Sequence, residues 1–219
     1  MSSINASSGT LPAKQIASVT TLAILGIAYF LIVVIVLHFL RPDLNPISRF
    51  ISEYAVGPYG FLMRSAFFGL SLGSLALVVG LYLGVSRPGR SWIGLVLLGV
   101  WGVGILIAGI FPADLQGAPV TTVGSIHQTA SALAFLSVIL ATILISWRFK
   151  QDKKWSSFRR SALILSLVIL VTFIGFSLSV NTEFGGLSQR IFIASILLWL
   201  LLTAARLRYV ATGSFSKYP

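Results

Sequence analysis

Few side chains in this sequence can do acid–base, nucleophilic or metal chemistry: five Asp and Glu, two His and no Cys among 219 residues. Without cysteine there is no disulfide, no thiolate nucleophile and no Cys-ligated zinc. Four stretches hold most of what remains. Residues 41–60, RPDLNPISRFISEYAVGPYG, carry Ser48, Ser52, Glu53 and Tyr54. Residues 111–117, FPADLQG, carry Asp114, and residues 124–131, GSIHQTAS, carry His127 in an unusually polar run. Residues 181–190, NTEFGGLSQR, carry Glu183, Gln189 and Arg190. An arginine beside acids and a histidine suits recognition of a phosphate or carboxylate group. Glu53, Asp114 and His127 are also ligand types for zinc or another divalent ion. Ser48 or Ser52 with His127 and Asp114 has the composition of a nucleophilic triad, though no nucleophile-elbow pattern accompanies it. The same charges could instead form an ion-paired rim, Arg190 with Glu53 for example. Breaking such a buried pair costs about 3–5 kcal/mol.

The elements that position these residues are long apolar runs. Covering a hydrocarbon core of about 30 Å takes about 20 apolar residues in a helix. Six runs qualify, at about Ile16–Leu40, Phe61–Val85, Trp92–Phe111, Val123–Trp147, Ser161–Val180 and Ile191–Leu207. Only 10% of residues are charged, 56% are hydrophobic and the mean hydropathy is +0.94. A soluble domain carries about 25% charged residues. The composition therefore excludes a cytosolic enzyme and a nucleic-acid-binding domain, and the net charge of +11 belongs to membrane topology. The fold class is all-α, a polytopic bundle of six spans over 16–209, with tails at 1–15 and 210–219. Residues 1–11, rich in Ser, Asn and Gly, read as disordered. The first run is too long for a signal-peptide core and reads as a retained anchor.

Charge sorts the connections. Twelve of the sixteen Lys and Arg residues fall at the end that bears both termini and the 86–90 and 148–160 connections. Four of the five acids fall at the other end. This asymmetry places both termini in the cytoplasm, in an inner or plasma membrane. All four chemistry-bearing stretches then face outward. Residues 48–54 read as a short amphipathic helix lying on the outer interface and ended by Gly57-Pro58. Gly185-Gly186 reads as a sharp turn. Residues 148–160 read as a solvated polybasic loop at the lipid surface. Two G-x-x-x-G patterns, Gly69–Gly73 and Gly80–Gly84, predict close helix packing inside the bundle.

The four stretches in this order, N-P-I-S-x-x-I-S-E-Y-x-x-G-x-x-G, F-P-x-D, an early His in the fourth span and G-L-x-Q-R, resemble an uncharacterised prokaryotic membrane family catalogued as domain of unknown function 998. The matching positions are Asn45, Ser48, Ser52, Glu53, Tyr54, Asp114, His127, Gln189 and Arg190. The resemblance implies a multi-spanning bundle and carries over no activity. A weaker likeness to multi-spanning amide hydrolases of the ceramidase type meets only His38 and His127, where those enzymes use several zinc-binding histidines. Three readings follow: an outward polar pocket that binds a lipid headgroup or small anion, a membrane-embedded hydrolase, or a structural bundle with a locked rim. Membrane lipids are the partners implied, and no cofactor is assigned.

Overall fold

The computed structural model describes residues 13–213. The N-terminal tail read as disordered and residues 214–219 lie outside it. Six α-helices make up 147 of the 201 described residues: α1 Ala13–Leu40, α2 Gly60–Gly84, α3 Trp92–Ile110, α4 Thr122–Arg148, α5 Arg159–Ser179 and α6 Gly185–Ala211. Among the described residues there is no strand. Each helix is long and apolar enough to cross a membrane. The shortest, α3 with 19 residues, is about 28 Å long at 1.5 Å per residue, close to one hydrocarbon thickness. Each helix packs on the next, and α6 returns to α1 and touches α2, so the bundle closes on itself.

Glycines set the closest approaches. A Cβ on Gly26 would fall 2.3 Å from the Gly69 carbonyl oxygen, and one on Gly73 would fall 2.9 Å from that of Ala23. Backbones of α1 and α2 therefore touch there, as small residues permit where lipid gives helices no hydrophobic reason to associate. The second pattern, Gly80 and Gly84, receives the Leu207 side chain of α6 instead. Both motifs act within the chain.

The connections alternate between two ends. Residues 41–59, 111–121 and 180–184 lie at one, called here the acidic end. Residues 85–91 and 149–158 lie with both described termini at the other, the basic end. Two connections differ from their sequence reading. The 149–158 loop is anchored as well as solvated: Lys150, Gln151, Lys153, Lys154, Ser156 and Ser157 are exposed, while Phe149 and Trp155 are fully buried and stack at 4.5 Å and Asp152 is buried against Gly89. The 45–55 stretch is not an interfacial α-helix either. It forms a 3₁₀ segment, Ile51–Ala55, in which Ile51, Glu53, Tyr54 and Ala55 are all buried. The chain dips into the bundle because Glu53 finds backbone donors there.

The helix α5 stands apart from the rest. Its buried residues, Ala162, Ser166 and Ile169, all lie toward the basic end. From Leu170 to Ser179 no residue is fully buried, so the half of α5 toward the acidic end is the less covered half.

Candidate functional site

The acidic end is a roof built from charge–backbone contacts. Arg41, 5% exposed, follows α1 directly. Its Nε and Nη2 donate to Asp43, and its Nη1 donates to the carbonyls of Val56 (2.7 Å) and Pro58 (3.1 Å). These two carbonyls flank Gly57, whose φ of 76° lets the chain turn there. The Arg41 hydrogen bond holds the Asp43 carboxyl below the usual carboxylate range.

Glu53 is 1% exposed. Its carboxylate accepts from the Gln116 N–H at 2.6 Å and the Phe50 N–H at 3.2 Å, and Arg49 lies 3.5 Å away. Arg49 also reaches the Gln116 carbonyl and side chain. The 41–59 and 111–121 connections are thereby joined.

Arg190 is the second staple. Its Nη1 donates to the carbonyls of Arg49 (2.7 Å) and Gly186 (3.0 Å), its Nη2 to the Tyr54 hydroxyl (3.2 Å), and its Nε to His38 Nε2 (3.0 Å). His38 Nδ1 sits 2.6 Å from the Val34 carbonyl. That ring nitrogen therefore carries the proton, and Nε2 is free to accept. The expected pairing of Arg190 with a carboxylate does not form. Glu53 turns to Gln116 and Phe50, Asp114 turns to Thr121, and Glu183 is exposed. Arg190 locks the rim through carbonyls rather than through an ion pair.

Gly185-Gly186 is the first turn of α6, not a loop. A Cβ on Gly186 would fall 2.4 Å from the Arg49 carbonyl oxygen, and the Leu187 N–H donates to the Ile47 carbonyl at 2.8 Å. The free N–H groups at the helix start are thus used to hold the roof.

Beneath the roof lies a cavity of about 480 Å³, lined by residues of all six helices and of the 50–52 and 113–120 stretches. Four of the sequence-selected residues line it: Ser52, Asp114, His127 and Gln189. The other four, Ser48, Glu53, Tyr54 and Arg190, do not. His127 is 6% exposed, and its Nδ1 meets the carbonyls of Phe111 (2.8 Å) and Ala108 (3.2 Å) at the end of α3. Two carbonyl partners require a proton on Nδ1, which leaves Nε2 as an acceptor with no partner among the described residues. The Gln189 side-chain oxygen accepts from the Ile51 N–H at 2.7 Å, leaving its amide N–H groups available.

Asp114 accepts from the Thr121 N–H (2.9 Å) and hydroxyl (2.8 Å), while Thr121 Oγ1 accepts from the Gly124 N–H at the start of α4. The backbone bond from Thr121 and then its hydroxyl hold the Asp114 carboxyl below its ordinary range.

Two assemblies considered from sequence are absent. Glu53, Asp114 and His127 do not converge: among the described residues no group of three His, Asp or Glu could hold a metal. The first two carboxylates are already spent on backbone N–H groups. The serine triad fails in the same way, because Asp114 bonds Thr121 and no hydrogen bond links His127 to Ser48 or Ser52.

Sequence reasoning missed most of the cavity wall. Gln128 and Ser131 lie one turn apart on α4 and line it, and neither side chain has a hydrogen-bond partner among the described residues. Much of the remaining wall is aromatic: Trp101, Phe135, Phe173 and Phe176, with Phe176 edge-on to Phe135 at 6.3 Å and to Phe50 of the roof at 6.1 Å. Gln128, Ala132 and Leu136, a stripe along α4, line the cavity and are exposed. No Lys or Arg lines it.

A closed bundle of six apolar helices, roofed at one end with a cavity beneath, defines a multi-pass helical membrane protein. The chain belongs to the family described as protein of unknown function DUF998, whose model matches residues 24–206. No curated protein and no solved structure matches it.

Proposed function

We propose that the cavity binds one amphiphilic molecule taken from the membrane, with a hydrogen-bonding head free of net negative charge and an apolar chain. The observation that carries this reading is the cavity's mixed wall, bordered by an exposed stripe of α4. Ser52, Gln128, Ser131 and Gln189 offer polar contacts, Trp101, Phe135, Phe173 and Phe176 offer apolar ones, and the entrance from lipid runs along exposed Gln128, Ala132 and Leu136. A volume of about 480 Å³ falls within the range of about 300–1,000 Å³ that ligand pockets occupy. A lipid headgroup remains the ligand class. An anionic one is disfavoured, because Arg190 is committed to the roof and Asp114 is the charge that lines the cavity. With twelve of sixteen cations at the opposite end, the cavity mouth faces the outside of an inner or plasma membrane.

The test uses the full chain purified in mild detergent, with monoacylglycerol and lysophosphatidylglycerol as neutral and anionic probes. Gln128→Leu with Ser131→Ala is expected to weaken monoacylglycerol binding by about tenfold or more, the loss of about two hydrogen bonds. Ala132→Trp, which fills this entrance, is expected to abolish it. Unchanged monoacylglycerol binding in both variants, or a preference for the anionic probe, would contradict the reading.

A further inference from the structure

The basic end holds a second concavity, a groove of about 1250 Å³ between the start of α1, the ends of α2 and α6, and the two loops of that end. Four cations line it: Arg87, Arg90, Lys153 and Lys154. None of them has a carboxylate within ion-pair distance; among the described residues such pairs are confined to Arg41–Asp43 and Arg49–Glu53. The one acid nearby, Asp152, is buried and already occupied. Its Oδ2 accepts from the Ser86 N–H (2.7 Å) and its Oδ1 from the Lys154 N–H (2.8 Å). Arg90 is held by the Val85 carbonyl and by the ring of Tyr82, 4.3 Å away, with Trp92 at 5.7 Å. Its Nε is buried and unpartnered. The side chains of Arg87, Lys153 and Lys154 are exposed and make no hydrogen bond among the described residues.

Gathering four like charges raises the energy of the free chain, and an anion seated among them would relieve it. The platform is rigid. Asp152 ties the 149–158 loop to the 85–91 turn, fully buried Trp155 bonds the Gly84 carbonyl, and Gly89 sits against Asp152. The backbone that carries the cations is thereby fixed, and side-chain freedom is what binding costs. Ile16, Leu207 and Val210 form an apolar wall beside the cations, with Ser86, Gln151 and Asp152 on the loop side. Tyr82 and Trp92 are exposed at the level where aromatic rings meet the headgroups. A soluble anion has no use for such a wall, whereas the chains of a phospholipid do.

We propose that this groove binds the phosphate-bearing, net-negative headgroup of a phospholipid in the leaflet at the basic end. The cations contact the phosphate, and the lipid chains run down the α1–α6 side. The site is separate from the roofed cavity and does not depend on it.

The experiment measures lipid binding to the detergent-purified full chain by native mass spectrometry. Dioleoylphosphatidylglycerol and dioleoylphosphatidylcholine are the probes, and inorganic phosphate is the competitor. The anionic lipid is expected to bind at least tenfold tighter than the zwitterionic one, with affinity that falls as salt rises. Arg87→Gln, Lys153→Gln and Lys154→Gln together should weaken it about a hundredfold, near fivefold per charge. Lys150→Gln with Arg160→Gln removes charge from the same region but outside the groove, and should change it less than twofold. Ala132→Trp should leave it unaltered. Equal affinity for the two lipids, equal losses in the two sets of variants, or displacement of the lipid by phosphate would each overturn the proposal. Should the triple variant fail to purify, the native chain decides: binding that does not respond to salt overturns it.

Discussion

The two ends of this bundle leave different charges free. At the acidic end Arg41, Arg190 and Glu53 are turned inward and consumed by loop and helix partners, so the cavity below them has a single carboxylate and no cation in its wall. At the basic end Asp152 staples through two backbone N–H groups, Arg148 and Arg206 donate to the Pro88 and Lys154 carbonyls, and Arg87, Lys153 and Lys154 are left outside with no acid to pair. A charged residue near a membrane surface therefore has two distinct uses, holding loops through carbonyls and amides or presenting a field to a ligand. The local partner, not the residue type, decides between them.

The sharpest way to break this comparison is to truncate one cation at each end. Arg190→Ala removes donors to two carbonyls, a hydroxyl and His38. It should cost about 3 kcal/mol or more in thermal unfolding of the detergent-solubilised protein. Lys153→Ala should cost within about 0.5 kcal/mol. Equal effects would erase the distinction. Next in size, Asp152→Ala leaves the part-buried Ser86 and Lys154 N–H groups without their acceptor and empties a buried carboxylate site. A loss of about 1–3 kcal/mol is expected, read from the same unfolding curves.

Acid sharpens the comparison further. Asp114 is held below its ordinary range by Thr121, so the unfolded chain takes up that proton at higher pH than the folded one. The contribution of Asp114 is thus fully present above the usual carboxylate range and is lost as pH falls through the depressed folded value. Asp114→Asn should flatten part of the fall in unfolding temperature below about pH 4 and leave the curve above it parallel to the native one. The smallest expected effect on stability is that of Ser131→Ala, within about 0.5 kcal/mol, because its hydroxyl has no partner to lose. Its consequence should appear only as weaker monoacylglycerol binding.

The six spans were legible because each is a long apolar run, and hydropathy alone marks such runs. The start of α6 was not. Gly185-Gly186 has the composition of a turn, but its purpose is to let the Arg49 carbonyl come within a distance that any side chain would block. His127 could be chosen from sequence because polar residues at such depth rarely face lipid, and Ser52, Asp114 and Gln189 because they fall in the polar stretches that join the spans. The roles of Glu53 and Arg190 could not, since carbonyl and amide partners carry no signature in sequence. The aromatic part of the wall was equally hidden. Phe135 and Phe176 sit in apolar runs that look the same whether they face lipid, core or cavity, and only the packed bundle shows which.

Entry of a membrane chain between α4 and α5 is the central claim, and contact with lipid tests it. The chain has no cysteine, so single thiols can carry a fluorophore without a cysteine-free background having to be built. Ser131→Cys places one in the cavity, and Leu178→Cys, at a position 79% exposed on α5, places one toward lipid. Quenching by lipids spin-labelled on the acyl chain should reach both labels, and excess monoacylglycerol should relieve it in the Ser131→Cys protein alone. Quenching confined to the Leu178→Cys protein would mean that no membrane chain enters between α4 and α5, and the cavity would lose its proposed ligand.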